Sequence, residues 1–70
     1  MKPRYWQGRA ETCGVCRQPL LNTMIDGATL AGPWALMCAG CHARIGAGIG
    51  QGLGQEYQRT ADNRWLKVGG

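Results

Sequence analysis

The 70-residue chain contains no phenylalanine, and its aromatic residues are three tryptophans and two tyrosines. Twelve residues are glycine, which adds backbone entropy that folding must overcome. A chain of this length buries a small fraction of its surface and usually needs a disulfide or a metal ion besides its apolar core. We therefore expect one domain at most, residues 1–70, which hydrophobic burial alone does not stabilise.

The sequence also lacks the long apolar segments of membrane and secreted proteins. No stretch approaches the roughly 18 apolar residues of a membrane helix. Residues 1–8 include Lys2, Arg4 and Trp6 but no apolar run typical of a secretory signal peptide. These absences predict a cytoplasmic protein with reduced thiols and no membrane partner.

Four cysteines stand in two pairs, Cys13-Gly14-Val15-Cys16 and Cys38-Ala39-Gly40-Cys41, separated by residues 17–37. Two C-x2-C pairs at such a separation are typical of one closed, tetrahedral zinc site. The pattern predicts one structural zinc ion, whose binding supplies folding free energy on the order of 10 kcal/mol in small domains. Two disulfides would need an oxidising compartment, and a redox C-x-x-C would need a βαβ context.

His42 follows Cys41 directly and offers an alternative metal ligand. Adjacent residues seldom both reach one metal with good geometry, so we expect an all-cysteine site. His42 is then a surface residue, or a neighbour of the ligands, at the start of a short helix. Four thiolates and one Zn²⁺ together contribute −2, so the formal net charge of +4 falls to +2. This balance permits contact with nucleic acid but does not demand it.

The chain divides by composition into a basic, aromatic arm (1–12), a zinc core (13–45), a glycine-rich tract (46–54) and a terminal hairpin (55–70). Five glycines would cost a helix about 4–5 kcal/mol in the tract, at about 1 kcal/mol each, so we expect an irregular loop there. Pro3 and Gly8 argue against a helix in the arm. The arm is either an edge strand whose Trp6 covers the core or an extended segment that contacts nucleic acid.

The zinc core carries the signals of β-hairpins. Asp26-Gly27 is typical of a tight turn, and Gly32-Pro33 is a second turn signal. Residues 34–37 resemble a strand that leads into the second cysteine pair, with Trp34 packed in the core over the metal. We therefore predict a small, metal-stapled β-rich (α+β) domain. Its fold would be a zinc ribbon or treble clef with two C-x2-C knuckles, β-hairpins and at most a short helix.

The segment of residues 38–42 resembles the second knuckle of HNH endonucleases, where Cys-x2-Cys-His opens the metal-binding helix of a treble clef. The likeness covers about residues 13–45. In that family a histidine after the aspartate acts as the general base, whereas here Asp26 is followed by Gly27. The family's asparagine before the second pair is also missing, and only His42 matches. The resemblance thus implies a degenerate site without catalytic residues, and we expect that the chain is not an enzyme.

The chain also resembles very short zinc-ribbon proteins encoded by bacteriophages. The likeness rests on CGVC, residues 25–29, residues 32–35, MCAGCH and the Gly-x-Gly tract that ends in Gly54-Gln55-Glu56-Tyr57. It spans most of the chain and implies a zinc fold and a phage setting, with action in the host-cell cytoplasm. No general activity follows from it.

The positive charge and the basic, aromatic ends favour a non-catalytic zinc-stabilised interaction module that binds nucleic acid or a nucleic-acid-associated complex. The predicted binding surface consists of Arg4, Trp6, Arg9, Arg17, Arg44, Arg64, Trp65 and Lys67. The alternative is a phage-type regulatory protein that binds and modulates a host protein, because tryptophan and arginine are typical interface anchors. A homodimer formed through an exposed strand is a lesser version of that alternative. A degenerate HNH nuclease is a minor third interpretation.

Overall fold

The computed structural model describes residues 2–70. These residues form four strands and one helix, in the order β1 (Thr23–Ala28), β2 (Trp34–Met37), α1 (Ala39–Ile45), β3 (Gly54–Arg59) and β4 (Trp65–Gly69). The strands form one antiparallel sheet in the order β2-β1-β3-β4. The prediction of a small β-rich domain with one short helix is therefore confirmed. No helix in the described part of the chain has the length and apolar character needed to cross a bilayer.

Strand β1 runs straight through the Asp26-Gly27 dipeptide, so the turn predicted there is wrong. Gly27 pairs with Ala35 of β2 on one side and with Gly54 of β3 on the other. A Cβ atom on Gly27 would lie 2.8 Å from the carbonyl oxygen of Leu53 and 2.9 Å from the Cα of Gly54. The glycine is needed because other backbone segments approach it closely, and not because the chain reverses.

The chain reverses instead at residues 29–33, where the second turn signal lies. The backbone N–H and the Oγ1 hydroxyl of Thr29 both donate to the carbonyl oxygen of Pro33, at 2.9 and 2.8 Å. Gly32 has a φ of +114°, a conformation that glycine adopts without steric cost. Trp34 follows this turn at the start of β2 and is 51% exposed. The prediction that Trp34 packs in the core over the metal is therefore wrong.

Strands β3 and β4 form the predicted terminal hairpin, and the arm lies along the outer edge of β4. The N–H of Trp6 donates to the carbonyl oxygen of Trp65 at 2.9 Å, and the N–H of Lys67 donates to that of Arg4 at 2.7 Å. The ring of Trp6 meets the ring of Tyr57 edge-on, with 5.5 Å between the centroids. The arm thus behaves as an edge strand whose tryptophan covers the core.

The glycine-rich tract is an irregular segment, as predicted, which joins α1 to β3. Gly48, Gly50 and Gly52 have φ values of +118°, +143° and +78°, and these conformations favour glycine. The tract folds back against the sheet, since a Cβ atom on Gly54 would lie 2.7 Å from the carbonyl oxygen of Gly48. The alternating glycines therefore serve backbone conformation and close packing together.

The core is small and rich in sulfur. Its buried members are Ala10, Cys13, Leu20, Met24, Met37, Cys41, Tyr57 and Trp65. Half of these residues carry a sulfur atom, and two are cysteines of the C-x2-C pairs. The cysteine cluster is therefore part of the hydrophobic core, and its integrity and the packing of the sheet depend on each other.

Two indole groups of the core offer a matched test of one buried hydrogen bond. The Nε1 of Trp65 donates to the carbonyl oxygen of Ala10 at 3.0 Å, whereas the buried Nε1 of Trp6 has no partner within residues 2–70. Trp65→Phe should therefore cost about 1 kcal/mol more than Trp6→Phe, because only the first change removes a hydrogen bond. Urea unfolding of both variants with bound metal measures this difference. Equal losses of stability would contradict the assignment.

Candidate metal centre

The structure brings the four cysteines together. Their Sγ atoms all lie within 4.8 Å of one another, and within residues 2–70 the group contains no other ligand type. The Sγ atoms of Cys16 and Cys38 are 3.8 Å apart. A regular tetrahedron with metal–sulfur bonds of about 2.3 Å has edges of about 3.8 Å. The donor set therefore fits a tetrahedral metal ion.

The first cysteine pair lies in a turn that is closed by backbone hydrogen bonds and is also hydrogen-bonded to the sheet. The N–H of Arg17 donates to the carbonyl oxygen of Cys13 at 3.0 Å, and the N–H of Cys13 donates to that of Gln18 at 2.9 Å. Gly14 then donates its N–H to the carbonyl oxygen of Leu36 in β2, at 2.7 Å. Because β2 leads directly into the second pair, this last bond sets the two pairs side by side.

The second pair opens helix α1. Cys38 is the N-cap residue, and its Sγ accepts the N–H of Cys41 at 3.5 Å. The N–H of Cys38 in turn donates to the Sγ of Cys13 at 3.3 Å, and Val15 donates to the same sulfur at 3.4 Å. Burial raises the pKa of Cys13, but these amides and the amide of Cys16 bring it down to about 6. Cys13 is therefore ready to ligate a metal as a thiolate at neutral pH.

Cys41 has the opposite protonation preference. The Nη2 of Arg44 donates to its Sγ at 3.3 Å and lowers its pKa, but burial and the three neighbouring thiols raise the pKa to about 11. The same contact raises the pKa of Arg44. Arg44 thus places a positive charge beside a cluster that carries net negative charge when four thiolates hold a divalent ion.

Metal binding at neutral pH should release protons. Cysteines bind a metal as thiolates, and in the unfolded, metal-free chain their thiols are largely protonated at neutral pH, because a free cysteine has a pKa of about 8.5. Calorimetric titration in two buffers of different ionisation enthalpy measures the number of protons released. We expect at least one per ion at neutral pH, and weaker metal binding as the pH falls. An apparent enthalpy that is the same in both buffers would contradict this expectation.

His42 lies outside the cysteine cluster and contacts the glycine-rich tract. Its Nε2 is 3.1 Å from the carbonyl oxygen of Gly48. A Cβ atom on Gly46 would lie 2.2 Å from the Cδ2 of His42, so glycine at this position makes room for the ring. His42 therefore connects α1 to the tract, in a contact that the sequence pattern did not indicate.

The predicted binding surface is only partly exposed. Trp65 is 5% exposed, so including it in that surface was wrong. Trp6 is half-buried against Tyr57, which leaves little of its ring for stacking. Arg17 and Arg44 are exposed beside the first and second cysteine pairs.

The other predicted cations lie together in the arm and the terminal hairpin. We call this region the basic end, and its cations are Lys2, Arg4, Arg9, Arg59, Arg64 and Lys67. The guanidinium of Arg64 lies 4.0 Å above the ring of Tyr5 and pairs with Asp62 at 2.9 Å. Backbone hydrogen bonds join the arm to β4 at Arg4 and Trp6, so Arg4 lies beside Lys67.

Arg59 is a member of this region that the sequence did not single out. Its guanidinium stacks on Trp65 at 4.3 Å and donates to the carbonyl oxygens of Leu21 and Leu20, at 2.6 and 2.9 Å. Within residues 2–70 it forms no ion pair. Together with Arg9, Glu11 and Asn63 it lines a cavity of about 260 Å³.

Comparison with protein-family models, with curated proteins and with solved structures finds no match for the chain. The resemblances to phage zinc ribbons and to HNH endonucleases therefore rest on the motif residues alone. Fold and site define the chain as a small β-rich domain whose four clustered cysteines can hold a metal ion.

Proposed function

We propose that the chain is a zinc-stabilised, non-catalytic interaction module that binds nucleic acid through its basic end. Zinc is the metal we assign, because four thiolates in a tetrahedral arrangement are its preferred structural site. Such a site leaves no ligand position open for water, which supports a structural role. The position of Cys38 at the N-cap of α1, beside a hairpin and a first cysteine turn, supports the treble-clef version of the fold.

The distribution of charge carries the proposal for nucleic acid. Six of the eight lysines and arginines lie in the arm and the terminal hairpin, residues 1–12 and 55–70, together with three acidic residues, Glu11, Glu56 and Asp62, so these segments carry a net charge of +3. The remaining two, Arg17 and Arg44, stand beside the cysteine pairs. Lysine and arginine side chains clustered on one part of a small domain contact phosphates.

An anisotropy titration with labelled single-stranded DNA, single-stranded RNA and duplex DNA tests the proposal. We expect binding at low salt that weakens steeply as salt is added. Arg4→Gln should weaken binding and reduce the salt slope by about 1, because one phosphate contact is lost. Arg17→Gln removes the same charge outside the basic end and serves as the matched control, with little effect expected. Absence of binding to all three probes at low salt would refute the proposal.

Binding to a host protein is the second candidate, and the β1–β2 turn favours it. Leu30 lies in this turn, Trp34 follows it, and they are 75% and 51% exposed; an exposed tryptophan is a typical interface anchor. Capture from a bacterial lysate, with and without nuclease treatment, separates the two candidates. A stoichiometric protein that survives nuclease and is lost with Trp34→Ala supports protein binding. Capture that disappears on nuclease treatment supports nucleic acid.

A further inference from the structure

The four thiols differ sharply in exposure. Cys13 and Cys41 are 0% and 1% exposed, whereas Cys16 and Cys38 are only partly buried. Cys16 and Cys38 also line one side of an open cavity of about 430 Å³, whose other walls include Leu21 and Ala39. The cavity therefore brings solvent to one particular pair of cysteines, which takes one residue from each C-x-x-C segment.

We propose that Cys16 and Cys38 are a modification site, at which hydrogen peroxide forms a disulfide and thereby releases the metal. The Sγ atoms are 3.8 Å apart, so a disulfide requires the sulfurs to approach and needs no new neighbour. The inference rests on the zinc centre proposed above and is independent of what the basic end binds. It adds a redox response to a centre whose role is otherwise structural.

The chemistry balances with peroxide as the sole oxidant. The thiolate of Cys16 or Cys38 attacks one peroxide oxygen, so an S–O bond forms, the O–O bond breaks and hydroxide leaves. The second thiolate attacks the resulting sulfenic acid, forms the S–S bond and displaces a second hydroxide. The two sulfurs together lose two electrons, and the peroxide is reduced to two hydroxides, which take protons from solvent. A zinc ion held by the four cysteines would then keep only Cys13 and Cys41 as ligands and would be released.

The other two sulfurs are protected by burial, since Cys13 and Cys41 are 0% and 1% exposed. Cys13 is buried and accepts N–H groups from Val15 and Cys38. Cys41 is buried and accepts from Arg44. A disulfide within either C-x-x-C segment would need one of these covered sulfurs to react, whereas the exposed pair reacts without exposing the core.

The position of the exposed pair also determines whether the oxidised protein keeps its fold. Cys16 lies in the first cysteine turn and Cys38 caps α1, so their disulfide holds the two segments that the metal held. The oxidised, zinc-free chain should therefore keep its sheet, whereas the reduced, zinc-free chain should not. This contrast separates a reversible response from simple oxidative damage.

Peroxide treatment of the zinc-loaded wild-type chain tests the proposal. Zinc content is measured first, so that a chain without zinc counts against the proposed centre and not against the oxidation. Peroxide is then added with a chromogenic chelator, free thiols are alkylated in acid, and the tryptic peptides 10–17 and 18–44 are sequenced by tandem mass spectrometry. We expect one zinc released per disulfide, with Cys16 joined to Cys38 and with Cys13 and Cys41 alkylated. A reductant with added zinc should reverse the change.

Two helix variants test access without altering a ligand. Ala39 lines the cavity and Ala43 does not, although both are exposed positions of α1. Ala39→Leu should slow zinc release by peroxide several-fold at unchanged zinc stoichiometry, and Ala43→Leu should leave the rate unchanged. Disulfides within the C-x-x-C segments, a mixture of all pairings, or retention of zinc after the Cys16–Cys38 bond has formed would each overturn the proposal.

Discussion

Removal of the metal with a strong chelator should unfold the reduced chain. A structural zinc contributes on the order of 10 kcal/mol, whereas a domain of this size has a total stability of only about 4–10 kcal/mol. The cluster of buried residues around the metal site has eight members, and two of them are cysteines of the proposed centre. The Sγ atoms of the four cysteines lie within 4.8 Å of one another. Without the ion, nothing would bind these four sulfurs together.

Far-ultraviolet circular dichroism and tryptophan fluorescence measure this loss. The sheet signal should disappear, and the emission of Trp65, which is 5% exposed in the native state, should shift to the red. Zinc should restore both signals, whereas magnesium and calcium should not, because these ions prefer oxygen ligands. A chelated, reduced protein with a native spectrum would show that the cysteine cluster is not what stabilises the fold.

The second large effect is expected from a single methyl group on β1. Gly27→Ala should destabilise the domain by about 2–4 kcal/mol, because the new Cβ meets backbone atoms that cannot move independently. The carbonyl oxygen of Leu53 would lie 2.8 Å away and the Cα of Gly54 2.9 Å away. Relief of these contacts requires β1 and β3 to separate at the position where Gly27 and Gly54 are paired.

Gly40→Ala is the matched control for this substitution. A Cβ atom on Gly40 would meet nothing within 4 Å, and the residue lies in helix α1, where alanine is favoured over glycine by about 1 kcal/mol. Gly40→Ala should therefore stabilise the domain slightly. Urea unfolding with saturating zinc measures both variants, and native mass spectrometry checks that each still binds one ion. Similar losses in the two variants would show that close backbone packing at Gly27 is not the cause.

The cysteine cluster could be predicted because its spacing has a direct chemical meaning. The turns could be predicted only in part, since a glycine needed for a reversal and a glycine needed for close strand packing look alike in a sequence. Gly32 is of the first kind, with a φ of +114°, and Gly27 is of the second. Asp26-Gly27 therefore carried a turn signal at a position in the middle of a strand.

The burial of the tryptophans could not be predicted for a different reason. Trp34 and Trp65 both begin strands, yet the first is 51% exposed and the second 5% exposed. The difference comes from the tertiary surroundings of each strand: β4 receives the arm along its outer edge, and Trp65 reaches the carbonyl oxygen of Ala10. The residues around a tryptophan in the sequence do not indicate whether a segment distant in the chain will cover it. The same holds for Arg59, whose partners Leu20 and Leu21 come from another part of the chain.

The arm and the first cysteine turn have a common consequence for self-association. Along the outer edge of β4, the N–H of Trp6 donates to the carbonyl oxygen of Trp65, and the N–H of Lys67 donates to that of Arg4. Along the outer edge of β2, the N–H of Gly14 donates to the carbonyl oxygen of Leu36. Unpaired strand edges invite further strands and lead to aggregation. Both sides of this sheet are thus blocked by the chain itself, and one block is tied to the metal centre. Loss of the metal would unfold the reduced chain and free these strands together with the segments that cover their edges, so the ion also protects the domain against fibrous polymerisation.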